Sequence, residues 1–366
     1  MKKLSRIASV VAMASIVGWL GLLWPSGAAA GGMTGGDCAD CHVMHASQSG
    51  DDSLPTHAFL LTSSCLGCHS GDNNAGGTST PLVLTASGAP KSLAGGDFRY
   101  INSGGDAYGH NTRELGNPEG IIANATPPGW EAGFAAHGQV GDGGGWGLSK
   151  LSCSGVWGCH GLHTAAEVNG SHHNNLNRGA DGQATGEDGV PGKGYRFLNG
   201  IKGWEDDVYE YNVFNTPANG AHNIYYGEVR TADTASNTQT ISYFCAECHG
   251  IFHGGAGTDG VSNTSFATPW VRHPVDIVMP TTAGTEYEHY TTYRVDTPIG
   301  SSDVTDNTMD LTTATDRIVM CLSCHRAHAS PYPSSLRWDP TLIRSGEHNT
   351  NGCFACHSHK DGVVGD

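Results

Sequence analysis

Twelve cysteines, and the histidine that follows every second one of them, are the residues of this chain best suited to chemistry. Five times the sequence reads Cys-x-x-Cys-His, at 38–42, 65–69, 245–249, 321–325 and 353–357, and a wider version, CSGVWGCH, spans 153–160. In such a motif the two thiols form thioether bonds to haem vinyl groups, and the histidine ligates the iron. The spacing therefore predicts six covalently bound c-type haems.

The predicted residues follow directly from the motifs. The thioether-forming residues are Cys38, Cys41, Cys65, Cys68, Cys153, Cys159, Cys245, Cys248, Cys321, Cys324, Cys353 and Cys356. The predicted proximal iron ligands are His42, His69, His160, His249, His325 and His357. We identify no catalytic residue.

Other uses of paired cysteines need weighing. Two CxxC pairs bind one zinc ion, but a zinc site has no use for a histidine directly after every second cysteine. For the wider motif, the alternatives are a disulfide between Cys153 and Cys159 or a pair of free thiols. Glycines at 155 and 158 would let its longer loop bend so that both thiols reach one haem.

The second axial ligand of each iron decides between electron transfer and substrate chemistry. Of the 20 histidines, 14 remain after the proximal set, which favours two histidines on every iron. A histidine three or four residues after a proximal ligand should reach a neighbouring haem rather than its own. The predicted distal ligands are His45, His110, His163, His253, His273 and His328. The reserves are His57, His137, His172, His173, His222, His289, His348 and His359.

The N-terminus has the pattern of a signal peptide over residues 1–30. Lys2, Lys3 and Arg6 precede an apolar run that ends before Pro25, and three alanines at 28–30 offer a cleavage site. An uncleaved membrane anchor is the alternative. Removal of residues 1–30 would change the formal charge from −16 to −19, because three basic and no acidic residues are lost. That charge disfavours nucleic acid and anionic lipid as partners.

The remaining residues, 31–366, read as one haem-binding domain without a clean linker. With 53 glycines and 38% hydrophobic residues, the chain predicts a small side-chain core that haem must supplement. Residues 71–96 and 101–147 are rich in loop-forming residues, and few stretches keep a helical period. We expect a mostly irregular fold wrapped around a chain of stacked haems. Short helices should form at the motifs, and short strands at places such as 222–230.

The order of the motifs and several longer segments resemble those of a known protein family. The chain resembles the OmcS-type hexahaem outer-surface cytochromes of metal-reducing bacteria, which polymerise into extracellular filaments. The resemblance rests on the order of the motifs and on segments such as CADCHVMH at 38–45, GHN at 109–111, YRFLNG at 195–200, RHP at 272–274 and CLSCHRAHAS at 321–330. It implies a line of bis-histidine haems in each subunit. It also implies end-to-end stacking in which His45 ligates a haem of the adjacent subunit.

Three functional hypotheses follow. The first is an exported electron conduit, without a membrane span after signal cleavage, that passes electrons to other cytochromes, metal oxides, electrodes or partner cells at the cell surface or outside it. The second is a soluble periplasmic electron shuttle. The third is a multihaem reductase of an oxyanion, which the acidic charge and the surplus of histidines disfavour. The family resemblance makes the first our leading interpretation.

Overall fold

We describe a computed structural model of the chain. It describes residues 64–70, 82–86, 93–116, 127–131, 133–138, 146, 150–163, 183–188, 194–205, 222–230, 237–253, 273–281, 284, 286–344 and 352–358. The signal-peptide prediction, the first motif and His45 lie outside these residues. Most of the described backbone is irregular, as predicted.

Short helices coincide with four motifs. The α-helices of the described residues are α1 (Cys65–His69), α2 (Arg99–Gly104), α3 (Ile241–His253), α4 (Cys321–Cys324) and α5 (Cys353–Cys356). A helical turn places residues i and i+3 on the same face, which brings the two cysteines of each CxxC pair together. In α3 the backbone departs from helical angles at His249, and α4 and α5 end directly before His325 and His357.

The strands are as short as the helices. They are β1 (Ser152–Ser154), β2 (Gly158–His160), β3 (Gln183–Thr185), β4 (Lys202–Trp204), β5 (Ile224–Tyr225), β6 (Ile277–Val278) and β7 (Ile318–Val319). The order β3–β4–β5 forms an antiparallel sheet, and β6 pairs antiparallel with β7. Of the strand expected over 222–230, only β5 is regular, with Tyr226 in an isolated bridge to Ser301.

The third motif differs from our expectation of a helix. β1 and β2 pair in parallel, with Ser152 opposite Gly158 and Ser154 opposite His160. The wider spacing is the cause, because its additional residues form a loop that turns at Gly155, where φ is +85°. A Cβ at Gly158 would lie 2.4 Å from the main chain of Ser154, so the closed loop requires glycine there.

The buried apolar residues form small clusters beside the motifs. One cluster packs Ile201 and the β5 residue Tyr225 against Phe244 and Met320, with Cys159 at its edge. Another contains Met279, Tyr290, Ile299 and Val319, with Cys356 packed against it. The described residues contain no helix that is both long and apolar enough to cross a membrane. The cores therefore lie where the motif cysteines project.

Candidate haem-binding sites

The motif cysteines are available for covalent attachment in the described part of the chain. Cys65, Cys153, Cys159, Cys245, Cys248, Cys321, Cys324, Cys353 and Cys356 are all free thiols. Cys153 and Cys159 thus form no disulfide in this structure. Burial raises the pKa of Cys159 and of Cys356 to about 11 and that of Cys324 to about 12, so these thiols are protonated at neutral pH.

Successive motifs lie next to one another in the order of the chain. The thiol of Cys65 hydrogen-bonds to that of Cys153, which joins the second motif to the third. Cys159 lies within electrostatic reach of Cys248, which joins the third to the fourth. Cys245 hydrogen-bonds to Cys321, which joins the fourth motif to the fifth. Cys324 lies within electrostatic reach of Cys353 and Cys356, which joins the fifth to the sixth. Each of these five motifs therefore lies beside the next one along the chain.

Three proximal histidines are fixed by main-chain carbonyl groups. Nδ1 of His160 lies 2.9 Å from the oxygen of Arg196, Nδ1 of His249 2.6 Å from that of Pro128, and Nδ1 of His325 2.7 Å from that of Ser334. Since a carbonyl oxygen only accepts, Nδ1 carries the proton and Nε2 keeps its lone pair. A hydrogen bond of this kind orients a metal-ligating histidine and raises its basicity.

His357, the proximal histidine of the last motif, has a different partner. Its Nδ1 contacts a carboxylate oxygen of Glu286, and the ring of Tyr287 lies 5.2 Å away between ring centres. For the remaining described proximal residue, His69, the main-chain carbonyl accepts from Val83 and Leu84.

Three proximal histidines each face a predicted distal histidine. The ring centres are 5.9 Å apart for His110 and His249, 6.3 Å for His160 and His328, and 6.1 Å for His273 and His357. A metal bonded at about 2 Å to one nitrogen of each ring would separate the ring centres by roughly 6 Å. These pairs therefore fit two axial ligands of one iron, and haem fits the residues present.

Two of the three distal histidines of these pairs are held by main-chain carbonyl groups, as the proximal ones are, and the third is held by packing. Nδ1 of His110 lies 2.7 Å from the oxygen of Ala327, and Nδ1 of His273 lies 2.8 Å from that of Pro274. His328 is packed between the ring of Phe98, 4.7 Å away, and Gly95, where a Cβ would lie 3.0 Å from the imidazole. His328 follows His325 by three residues and faces the histidine of another motif, in agreement with the expected spacing rule.

Burial keeps these imidazoles neutral, which ligation requires. Burial, with a smaller contribution from His110, lowers the pKa of His249 to about 4. Burial, followed by His160, lowers the pKa of His328 to about 3. Burial also lowers the pKa values of His160, His273 and His325. All five are therefore unprotonated at neutral pH, with a lone pair available to a metal.

Two further predicted distal ligands lie in the interior. Nδ1 of His163 is 3.2 Å from the oxygen of His137, and its Nε2 is 3.3 Å from that of Cys159. Nε2 of His253 is 3.0 Å from a carboxylate oxygen of Asp276. Their ligand roles, and that of His45 outside the described residues, stay predictions.

Two charged residues at these sites were not predicted from any local pattern in the sequence. Glu247, inside the fourth motif, is fully buried and accepts hydrogen bonds from both the main-chain nitrogen and Nδ1 of His137, each at 2.9 Å. Glu286 contacts His357 from 71 residues away. Both contacts join segments that are distant in sequence, so no local motif predicted them.

Comparisons with known proteins find haem-binding cytochrome motifs in similar sequences. A family model described as a doubled CXXCH motif matches residues 315–362, which contain the last two motifs. The C-type cytochrome OmcS of Geobacter sulfurreducens is 25% identical over 389 aligned residues, which cover 93% of this chain and 86% of OmcS.

Two solved structures are loosely similar in fold. The outer membrane cytochrome S filament from Geobacter sulfurreducens gives a TM-score of 0.46 at 19% identity, covering 86% of each chain. The cryo-EM structure of the OmcS nanowires gives a TM-score of 0.46 at 20% identity, covering 85% of this chain and 84% of the other. Taking the sequence match together with the motifs, this chain is similar to the c-type cytochrome OmcS, and the two matches support covalent haem binding and electron transfer.

Proposed function

We propose that this chain carries six bis-histidine haems and conducts electrons along them. The observation that carries the proposal is that three proximal histidines each lie near a second histidine, at ring-centre distances of 5.9–6.3 Å, within a series of motifs that are each adjacent to the next. Two strong ligands on every iron leave no open position for a substrate, so electron transfer is the chemistry that this arrangement favours.

Different residues of the chain would attach the haems, ligate the irons and orient the ligands. The motif cysteines fix each haem covalently, and the histidine pairs His110–His249, His160–His328 and His273–His357 hold three irons from both sides. Haem supplies the one-electron chemistry when it is bound. The carbonyl groups that accept from Nδ1 keep each imidazole in one orientation and one tautomer, so the ligands need little rearrangement when the charge of the site changes.

The location and assembly rest on the sequence and on its relative. The signal-peptide pattern of residues 1–30 supports export, and haem is attached to c-type motifs outside the cytoplasm. Similarity to OmcS, whose solved structures are filaments, supports an end-to-end homopolymer at the cell surface or beyond it. We propose that electrons then pass to other cytochromes or to external acceptors such as metal oxides, electrodes or partner cells.

Intact mass and spin state test the haem count and ligation. Under denaturing conditions the mature polypeptide should carry six haem masses, and the Cys153→Ala, Cys159→Ala double variant should carry five. The oxidised protein should lack a stoichiometric high-spin ferric signal in electron paramagnetic resonance, and the reduced protein should bind little carbon monoxide. Five haems in the unmodified protein would remove the third motif from the proposal, and one open haem would revive the reductase hypothesis.

Particle size separates the conduit from the shuttle. Electron micrographs of the purified protein should show filaments of regular repeat. Monodisperse particles of the size of one subunit, with six low-spin haems, would instead identify a soluble electron shuttle.

A further inference from the structure

The ligand environment of the last motif differs chemically from that of the third, fourth and fifth motifs. Nδ1 of His160, His249 and His325 donates to neutral main-chain carbonyl groups, whereas Nδ1 of His357 contacts the carboxylate of Glu286. Both partners are only partly exposed, at 21% for the His357 side chain and 25% for that of Glu286. The contact is therefore shielded on several sides from competing water.

A carboxylate acts on a ligating imidazole more strongly than an amide carbonyl does. Its negative charge shortens and strengthens the hydrogen bond from Nδ1–H. The proton is drawn toward the carboxylate, and the imidazole becomes a more basic and more electron-rich ligand. A more electron-rich ligand stabilises the ferric ion relative to the ferrous ion, and hydrogen bonding around the ligands is one of the levers that set a haem potential.

The neighbouring charges do not reproduce this effect. Arg294 lies near Cys356, but its guanidinium is paired with Asp296 at 3.0 and 2.7 Å. Arg317 is also near Cys356, and its N–H groups donate to the carbonyl groups of Met279, Tyr290, Leu311, Pro280 and Tyr287. Both cations lie near Cys356, whereas the carboxylate of Glu286 contacts the His357 imidazole itself.

We infer that Glu286 is a positioning residue that lowers the reduction potential of the haem held by Cys353, Cys356 and His357 relative to the potential that a carbonyl acceptor would give. This inference rests on the proposed haem site at that motif. It sets the last motif apart from the motifs of His160, His249 and His325, whose proximal histidines donate to main-chain carbonyl groups.

The test is a spectroelectrochemical titration of the full holoprotein and of Glu286→Gln. In the variant, the reduction potential of one of the six one-electron components should rise by at least about 59 mV. This rise corresponds to a tenfold change in the equilibrium constant of that component. Glu288→Gln is the matched control, because it removes the same charge two residues after Glu286. The carboxylate of Glu288 lies 3.6 Å from the imidazole of His289 and is not the group that contacts His357. Its titration should match that of the unmodified protein.

A variant that lacks the last haem shows whether the shift in potential belongs to that haem. In a Cys353→Ala, Cys356→Ala variant, which lacks the last haem, Glu286→Gln should change nothing. If Glu286→Gln perturbs haem attachment, Glu286→Ala, which also leaves Nδ1 without the carboxylate, should give the same upward shift. Equal shifts for Glu286→Gln and Glu288→Gln would overturn the inference in favour of a general field effect.

The failure of the inference is distinguishable from the failure of the proposed function. Peptide mass spectrometry should find a haem on the peptide that contains Cys353 and Cys356. If that haem is present and no component shifts in either Glu286 variant, Glu286 has no such role. If the peptide carries no haem, the proposed site itself is wrong.

Discussion

At the scale of single residues, the chemistry depends on which nitrogen of each histidine is available. A carbonyl oxygen or a carboxylate engages Nδ1 of His110, His160, His249, His325 and His357, so the tautomer is the one that ligation through Nε2 requires. Sequence spacing identified these histidines but not their partners, because Arg196, Pro128 and Ser334 lie at unrelated distances along the chain.

His110→Ala should leave six haems attached and open one axial position, because His110 faces His249 at 5.9 Å. We expect one haem equivalent of high-spin ferric signal and one equivalent of carbon monoxide bound after reduction. His289→Ala is the control, since His289 is exposed and contacts Glu288. An unchanged spectrum of His110→Ala would assign the second ligand of that iron to another residue.

Acid should destabilise the folded protein from about pH 6.5 downward. The pKa of His249 is lowered to about 4 and that of His328 to about 3 from an ordinary value of 6.5. The unfolded chain therefore takes up these protons first. The contribution of these neutral histidines to the free energy of unfolding is complete above pH 6.5, and it decreases as the pH drops from 6.5 toward 4 and 3. The contribution decreases in the same direction when iron occupies the ligands, because protons then compete with the metal.

Denaturant midpoints at pH 7 and pH 5 measure this dependence above the range in which ordinary carboxylates titrate. The decrease between the two pH values should be smaller for His328→Phe than for the unmodified protein. His289→Ala should show the full decrease, because its imidazole is exposed. Identical decreases in all three proteins would contradict the prediction.

At the scale of elements, α3 organises the centre of the described structure. Cys245, Cys248 and His249 occupy one part of this helix, and its buried residues Tyr243 and Phe244 pack near His137. The kink at His249, where φ is −127°, separates the motif from the final turn that carries His253. The helix at a CxxC pair was predictable from the motif, whereas the kink and its contacts were not.

Glu247→Ala should destabilise the protein strongly, because it removes the buried acceptor of two hydrogen bonds from His137. Breaking a buried pair by deleting one partner costs roughly 3 kcal/mol or more. Glu247→Gln retains an acceptor oxygen and should cost less. The exposed Glu187→Ala should stay within about 0.5 kcal/mol of the unmodified protein. Denaturant unfolding followed by far-ultraviolet circular dichroism gives these values, and equal midpoints for Glu247→Ala and Glu187→Ala would contradict the assignment.

At the scale of the whole molecule, the line of motifs replaces a conventional core. The clusters around Phe244 and around Tyr290 are small, and each includes or borders a motif cysteine. A chain with 53 glycines gains little from side-chain burial alone, so a bound cofactor contributes much of the stability. This organisation is the reason that long irregular segments remain compatible with a defined fold.

His45→Ala tests the proposed junction between subunits. His45 lies outside the described residues, near the start of the mature chain, and the family resemblance implies that it ligates a haem of the adjacent subunit. We expect six attached haems, monomers or short oligomers in electron micrographs, and one haem with an altered spin state. Filaments of normal length would show that other contacts hold the junction.

The sequence by itself determined the number of motifs, their order and the residues that attach and ligate haem. These features are local, because two cysteines and a histidine within one or two turns suffice to define each site. The mostly irregular backbone was also predictable, since few segments keep a helical or strand period. The wider motif at 153–160 is the exception, because its three additional residues, with glycines at 155 and 158, favour paired strands over a helical turn.

Tertiary structure alone decided which histidines face one another and what fixes them. His110 meets His249, and His160 meets His328, across separations of more than 130 residues. The same holds for the carboxylates, since Glu286 contacts His357 and Glu247 contacts His137 through packing of distant segments. Such pairings depend on how loops close in three dimensions, which no spacing along the chain encodes, and they set the ligand geometry that the motifs leave open.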